Sequence, residues 1–274
     1  MSKTQKQGGQ TLGDALRSGF TLVAFLLAFV ISILVYMYVM GNPINFEGQN
    51  PAGTPLPGNY LAMIYKGGII VPLLMTVLLV LIIFSIERAI TITKASGKGR
   101  INVFVKQLQN LLAADKIEDA VTACDKQKGS LANVMKAGLI RYRSIQNDPK
   151  LVKDQKILTL QKEFEEATAL ELPMLSRNLV ILSTIASISV LIGLLGTVLG
   201  MIRAFGALAQ AGAPDALALA TGISEALINT AFGITGSLLA IVLYNYFSTR
   251  IDSFTYKIDE AGFSLVQSFA ATTK

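Results

Sequence analysis

The chain has 274 residues, of which 52% are hydrophobic and only 15% are charged, and its mean hydropathy is +0.53. Soluble domains carry about 25% charged residues, and a water-soluble protein this apolar would expose large hydrophobic patches, so a membrane environment is predicted. Histidine is absent and Cys124 is the only cysteine, which excludes a disulfide within the chain and leaves few ligands for haem or zinc. We expect no metal and no cofactor.

The formal net charge of +6 has two interpretations. A basic chain can bind nucleic acid, or its lysines and arginines can hold the cytoplasmic ends of membrane helices. Here 16 of the 24 basic residues fall in one segment, residues 87–177, and the others also follow the predicted membrane topology. This pattern favours membrane anchoring, with lipid and not nucleic acid as the partner.

The first apolar run, residues 21–40, carries no charge and is long enough to cross about 30 Å of hydrocarbon. The basic tail before it, residues 1–20, also suits a secretory signal peptide. The run is longer than the roughly 7–15 residues of such a signal, however, and residues 41–43 (GNP) are not a small-residue cleavage site. We therefore predict a cytoplasmic tail followed by a transmembrane helix that is not removed.

A periplasmic loop rich in Gly, Pro and Asn is predicted at residues 41–68, before a second span at residues 69–86. Residues 87–177 show helical periodicity without strand-like alternation, which predicts a cytoplasmic helical domain. Within it, Asp115 is the expected N-cap of a helix, and Pro173 is expected to produce a kink or a junction. This domain either binds regulators or continues the membrane helices as a bundle, and we favour the bundle.

The third predicted span is residues 178–202, and a short periplasmic connection, residues 203–221, leads to the fourth span at residues 222–247. A cytoplasmic helix, residues 248–274, follows. The loop and the connection carry one basic residue each, so the positive-inside rule places both termini and the large domain in the cytoplasm. The fold class is therefore all-α, a membrane protein with four transmembrane helices.

The first two spans are bulky and aliphatic, which predicts that they face lipid, whereas the last two are rich in glycine. In lipid, small residues allow two helix backbones to approach closely. The predicted packing positions are Gly193, Gly196, Gly200, Gly233 and Gly236. They can join spans three and four as a hairpin or join neighbouring subunits. Because glycines lie on more than one face of each helix, we favour packing between subunits.

Glu225 is an acidic residue inside the fourth span. A charge at the bilayer centre costs ~2.5–3.5 kcal/mol on insertion scales, so such a carboxylate usually faces a water-filled cavity or a partner. Two interpretations follow. Glu225 belongs to an ion pathway, which we favour, or it lies near the interface or pairs with Arg203 at the matching end of span three.

Three further polar residues extend this set of candidates. Asn229 lies one helical turn from Glu225 and shares its face, whereas Thr230 lies on a different face. Thr197 is a polar residue of span three. A lone threonine in a membrane helix is more often bonded to its own backbone, so the hydroxyls alone do not establish a pathway.

Three segments then carry a family resemblance: GLLGTVLGMIRAF (193–205), GISEALINTAFG (222–233) and YNYF (244–247). In order and spacing they closely resemble the ExbB/TolQ branch of the MotA/TolQ/ExbB proton-channel family. The resemblance is strong over about residues 170–250 and weaker before them. The first span lies outside the part that is similar.

The resemblance implies a pore-forming homo-oligomer, a pentamer, in the bacterial inner membrane. Spans three and four would line a pore that holds the transmembrane helices of a single-span ExbD/TolR-type partner, whose aspartate is the main proton carrier. It also implies that Thr197, Glu225 and Thr230 face the pore. The implied function is an ExbB-like subunit, without enzyme activity, that couples proton motive force to the motion of a TonB-like protein for outer-membrane transport.

Other functions stay open at this point. A TolQ-like motor for envelope maintenance, a flagellar or gliding stator, and a non-conducting scaffold all fit four spans. A secondary transporter is disfavoured because the sequence shows no inverted repeat and no broken helix with a substrate cluster. The residues do not choose between proton and sodium, although a carboxylate with few other oxygen ligands favours the proton.

Overall fold

The computed structural model describes residues 12–146, 148, 151–209 and 216–272. Within these ranges the chain forms helices and turns, with one isolated β-bridge between Phe46 and Pro55 and no strand. The predicted all-α class is therefore confirmed. Most of the N-terminal tail, the centre of the predicted connection and the last two residues lie outside the described residues.

Nine α-helices follow one another along the described chain. They are α1 (Leu12–Leu34), α2 (Tyr60–Tyr65), α3 (Ile70–Ala95), α4 (Ile101–Ala113), α5 (Ile117–Gln127), α6 (Ser130–Gln146), α7 (Lys153–Ser176), α8 (Leu179–Leu208) and α9 (Ala216–Thr272). A π-helical turn, Val35–Met40, extends α1. Two short 3₁₀ turns, Pro43–Asn45 and Glu47–Gln49, lie between α1 and α2.

Four helical stretches are long and apolar enough to cross a membrane. They are Thr21–Met40, Ile70–Ala95 and parts of Lys153–Leu208 and Ala216–Ala271. The four predicted spans are thus confirmed by length and composition. The predicted fourth span and the helix after it are parts of α9, because no glycine or proline interrupts residues 238–261. The predicted connection is helical at both ends, since α8 continues to Leu208 and α9 begins at Ala216.

Two local expectations in the helical domain have different outcomes. Pro173 lies inside α7, and the helix break follows at residues 177–178, after Ser176, so the kink at Pro173 stays a prediction. Asp115 is not an N-cap, because Lys116 occupies that position and Asp115 has φ 55°. Asp is one of the few residue types that tolerate this left-handed conformation, so here it turns the chain between α4 and α5.

The chain divides into two compact units. Unit 1 comprises Met1–Phe84 and Ile181–Val242, and unit 2 comprises Ser85–Val180 and Leu243–Lys274. In unit 1, α3 carries the core residues Val71, Leu74, Val80 and Leu81, each at most 1% exposed. Of the four apolar stretches, that of α3 is 56% buried and that of α1 only 17%. The second span is therefore partly covered within unit 1, and the expectation that it faces lipid stays a prediction for its exposed residues, such as Leu73 and Ile82.

The loop between α1 and α2 is held by side-chain hydrogen bonds within unit 1. The Asn45 amide donates to the carbonyls of Val39 (2.8 Å) and Met40 (3.2 Å). The Lys66 ammonium donates to the carbonyls of Pro51 (3.1 Å) and Ala52 (2.9 Å). Loop residues are thus fixed to the end of the first span and to the residues that follow α2.

A second such contact joins the first span to α2. The Tyr36 hydroxyl donates to the Tyr65 carbonyl at 3.1 Å, and the two rings stack with centroids 4.6 Å apart. The extra N-terminal helix therefore positions the turn that follows α2, which reaches the candidate site.

Unit 2 has a helical core of its own. Leu131, Met135 and Leu139 project from one face of α6 and are at most 1% exposed. Phe269 of α9 packs edge-on against Tyr142, with ring centroids 4.6 Å apart. The C-terminal part of α9 is therefore a core element of this helical unit, as the bundle interpretation requires.

Candidate functional site

Helices α8 and α9 are in backbone contact along a line of small residues. A Cβ built on Gly193 would lie 3.0 Å from the Gly233 Cα, and one on Gly200 would lie 2.8 Å from the Gly222 carbonyl oxygen. Both distances are shorter than ordinary contacts, so only glycine permits this approach. All five predicted packing glycines are buried: Gly193, Gly196, Gly200, Gly233 and Gly236. The hairpin interpretation therefore fits these glycines better than the favoured packing between subunits.

Glu225 lies inside this helix pair and is 5% exposed. The Arg203 guanidinium of α8 donates a short hydrogen bond to its carboxylate, and the two form a salt bridge. The Arg203 side chain itself is 53% exposed. The ion pair that the sequence offered as an alternative is thus present, with a buried acid and a half-exposed base. The ion-pathway role of Glu225 stays a prediction.

The Gly67–Gly68 turn covers the Glu225 carboxylate. Gly68 has φ 74°, and a Cβ there would lie 3.2 Å from Arg203 Nη1 and in collision with the carboxylate. Both the conformation and the space therefore require glycine at this position. The sequence alone did not indicate this turn as part of the site, although a Gly-Gly dipeptide is a recognised turn signal.

Asn229 is fully buried beneath the same turn. Its amide donates to the Gly67 carbonyl at 2.9 Å, while its Oδ1 has no hydrogen-bond partner among the described residues. A Cβ on Gly196 would lie 2.5 Å from the Asn229 Cβ. Asn229 and Glu225 thus share a face, as predicted, and that face packs against the turn. The pore-lining role of Asn229 stays a prediction, and its visible role is to join α9 to the turn.

Thr197 and Thr230 meet across the two helices. Their hydroxyls form a short hydrogen bond with each other. Each also lies near its own backbone carbonyl four residues earlier, Thr197 to Gly193 at 3.1 Å and Thr230 to Ala226 at 3.2 Å. Each hydroxyl has one proton, so one threonine donates to the other, which donates to its backbone. The hydrogen bonds expected between each threonine and its own backbone are present. The hydrogen bond between the two threonines, which are 33 residues apart in sequence, was not predicted.

A cavity of about 560 Å³ borders the ion pair. Loop residues 52–55, Lys66, Arg203 and the first turns of α9 line it, and Glu225 lies at its wall. Burial lowers the pKa of the Lys66 ammonium from its ordinary value. The half-exposed Arg203 side chain borders this cavity. Among the described residues, no group of three potential metal ligands occurs.

Comparison with known proteins identifies the family. A model of the MotA/TolQ/ExbB proton channel family matches residues 126–260. Over residues 126–260 the chain belongs to this family.

Relatives in the family place the chain in its ExbB/TolQ branch. It is 26% identical to the Tol-Pal system protein TolQ of Pseudomonas aeruginosa over 155 residues, 57% of this chain and 67% of that protein. It is 41% identical to the biopolymer transport protein ExbB of Salmonella typhimurium over 73 residues, 27% of this chain and 30% of that protein. It is 40% identical to an ExbB-like biopolymer transport protein of Synechocystis over 85 residues, 30% of this chain and 40% of that protein.

The family match divides the site into two parts. Glu225, Arg203 and the threonine pair fall inside the matched residues, whereas the Gly67–Gly68 turn and Lys66 fall outside them. The four apolar helices and the relatives indicate a multi-pass protein of the bacterial inner membrane. The family comprises proton channels and transport subunits rather than a known class of enzymes.

Proposed function

We propose that this chain is the channel subunit of an energy-transducing complex of the ExbB/TolQ type, which couples proton motive force to the motion of a partner. The observation that carries the proposal is the buried Glu225 carboxylate, held by the half-exposed Arg203 at the wall of a cavity. A buried acid on a membrane helix is costly to insert, and such residues mark ion pathways.

Protonation of Glu225 would change the local packing. Neutralising the carboxylate removes the attraction for Arg203, whose exposed side chain can then turn towards the cavity. A proton that crosses the membrane supplies ~2.3 kcal/mol per 100 mV, which shifts an equilibrium between two arrangements by about 50-fold. The paired and separated arrangements of Arg203 and Glu225 would be the two states that such a shift requires.

The threonine pair continues the polar surface along α9. Thr230 is five residues beyond Glu225, a rise of about 7.5 Å along the helix axis. Its hydroxyl and that of Thr197 are half-buried. Hydroxyls can donate and accept a hydrogen bond at once, so they can assist a carboxylate of a partner that changes its protonation state.

The exposed faces of α8 and α9 support assembly with other chains. Leu194 and Val198 of α8 and Leu227 and Leu238 of α9 are each more than half exposed. We propose that these faces contact further copies in a pentamer around an ExbD/TolR-type single-span partner. Both termini and unit 2 would then lie in the cytoplasm, with a TonB-like protein as the driven element.

The deciding experiment replaces Glu225 by glutamine in cells that also express the partner. We expect E225Q to abolish partner-dependent energisation at normal expression, because the side chain keeps its size and loses its charge. The control is E166Q, since the Glu166 side chain is 63% exposed and its pairing with Lys162 is on the surface. Normal energisation by E225Q would reject the proposal in favour of a non-conducting scaffold or a purely structural ion pair.

A TolQ-like role is a second candidate, because the Pseudomonas aeruginosa TolQ alignment covers 67% of that protein. Expression in strains that lack either the ExbB or the TolQ protein distinguishes the two. Restored outer-membrane uptake supports the ExbB-like role, and restored envelope integrity supports the TolQ-like role. Restored torque in a motility assay would instead indicate a stator.

A further inference from the structure

A second cavity, of about 430 Å³, lies within unit 2, where the end of α3 and the Gly97–Gly99 turn meet α9. Its polar lining comes from Thr93 and Ser96 on one side and from Arg250, Ser253 and Lys257 on the other. Its apolar lining includes Phe247. The cavity therefore joins a basic, hydroxyl-rich part to an apolar one.

The charge of this cavity is of one sign. Arg250 and Lys257 line it, and none of its described lining residues is acidic. Glu260 lines a neighbouring cavity, which Lys257 also borders. The Arg250 guanidinium lies 5.5 Å from the centroid of the Tyr246 ring, so a cation–π contact orients its planar set of donors. This arrangement suits a phosphate group, which guanidinium binds through paired hydrogen bonds.

The position of the cavity along α9 matches the level of lipid headgroups. Tyr246 is 52% exposed and lies at the end of the predicted fourth span, where tyrosine marks a membrane–water boundary. Arg250 is one helical turn beyond Tyr246, a rise of about 6 Å. This places it within the headgroup layer, which is about 5–7 Å thick on each side of the membrane. Lys257 is three turns beyond Tyr246, but side chains on a helix point back towards its N-terminus, here towards the membrane.

We propose that this cavity binds the headgroup of an anionic phospholipid, with Arg250 and Lys257 holding its phosphate. The hydroxyls of Thr93, Ser96 and Ser253 can then contact the polar glycerol region, and the apolar lining the start of the acyl chains. Basic pockets beside membrane helices are established sites for anionic headgroups. The site is independent of the proton pathway and would tie α3 to α9 in the membrane.

The test uses the full-length protein in detergent, with phosphatidylglycerol, phosphatidylcholine or inorganic phosphate added at equal concentration. Thermal unfolding is followed by circular dichroism, and retained lipid is read by native mass spectrometry. Of the three additives, we expect only phosphatidylglycerol to raise Tm and to remain bound. The increase in Tm should become smaller as the salt concentration rises. Equal effects of both lipids, or an effect of inorganic phosphate alone, would overturn the proposal.

The variant R250Q/K257Q is compared with R143Q/K162Q, which removes the same two residue types from exposed positions of the same unit. The side chains of Arg143 and Lys162 are 55% and 73% exposed. We expect R250Q/K257Q to weaken phosphatidylglycerol binding by about 30-fold, the factor for two interfacial basic residues, and the control to bind like the wild type. Circular dichroism without lipid establishes that both variants fold. If phosphatidylglycerol binding were weakened equally in the two double variants, the effect would come from the overall charge of the protein, and the proposed site would be rejected.

Discussion

Arg203 and Glu225 form a salt bridge between α8 and α9 in which the acid is buried and the base is half-exposed. The asymmetry determines what each side chain contributes. Glu225 depends on Arg203 because a carboxylate removed from water needs a compensating charge. Arg203 borders the neighbouring cavity and is not enclosed as Glu225 is. The buried acid therefore depends on the pair more than the base does.

Replacing Arg203 by glutamine should destabilise unit 1. The change leaves the Glu225 carboxylate buried with a neutral partner, and we expect a loss of about 1–3 kcal/mol. This is below the roughly 3–5 kcal/mol for breaking a fully buried pair, because Arg203 is half-exposed. Thermal unfolding in one detergent measures it. The double variant R203Q/E225Q should recover part of the loss, because no unpaired charge remains. The comparison is R143Q, whose exposed pair with Glu118 contributes about 0–1 kcal/mol. Strictly additive effects of the two single changes would show that the residues do not interact.

Alanine at Gly193 should weaken the packing of α8 on α9. Its new Cβ would lie 3.0 Å from both the Gly233 Cα and the Asn229 carbonyl oxygen, and backbone atoms cannot move aside as a flexible side chain can. We expect a loss of about 1–3 kcal/mol, measured by thermal unfolding.

The matched control for this change is Gly206 to alanine on the same helix. A Cβ at Gly206 has no neighbour within 4 Å, so the substitution should be neutral or stabilise α8 by about 0.5–1 kcal/mol. If G193A and G206A behaved alike, the close approach of the two helices would be disproved.

Much of this arrangement follows from local sequence, and the rest depends on contacts between distant residues. Residues 21–40 could be predicted as a span because a charge-free apolar run of this length is typical of a transmembrane helix. Glu225 could be recognised as a candidate site residue because inserting an acidic side chain into an apolar membrane helix costs free energy. The contact of Asn229 with Gly67, 162 residues away, could not be predicted, since periodicity defines a face but not its partner. For the same reason, the burial of α3 was missed.

Replacing Asn229 by alanine should destabilise the protein even without any partner present. The change leaves the Gly67 carbonyl buried without its donor, which costs about 1–3 kcal/mol. Thermal unfolding of the isolated chain measures this loss. Asn245, which is exposed on the same helix, provides the control, and N245A should unfold like the wild type. An N229A variant of full stability that lost only partner-dependent activity would instead assign Asn229 to the ion pathway.

Cys124 should be chemically inert in the folded protein. Burial raises the pKa of its thiol to about 12, and the nearby Asp125 carboxylate adds to the increase. The side chain is also only 2% exposed. A maleimide reagent at mildly alkaline pH should therefore label the unfolded chain rapidly and the folded chain hardly at all, because the thiolate is the reactive form. Rapid labelling under native conditions would show that α5 opens readily.

The same pKa predicts how stability changes with pH. Because the folded thiol has the higher pKa, its contribution is fully present below the ordinary value of 9.0 and is lost as pH rises towards about 12. Over that range the loss is about 1.4 kcal/mol per pH unit. Burial also raises the pKa of Tyr142, so the wild type must be compared with C124A, in which Tyr142 still titrates. Thermal unfolding of both proteins across this range should show the wild type losing stability relative to C124A. Parallel curves would mean that the thiol has the same pKa in the folded and unfolded chains.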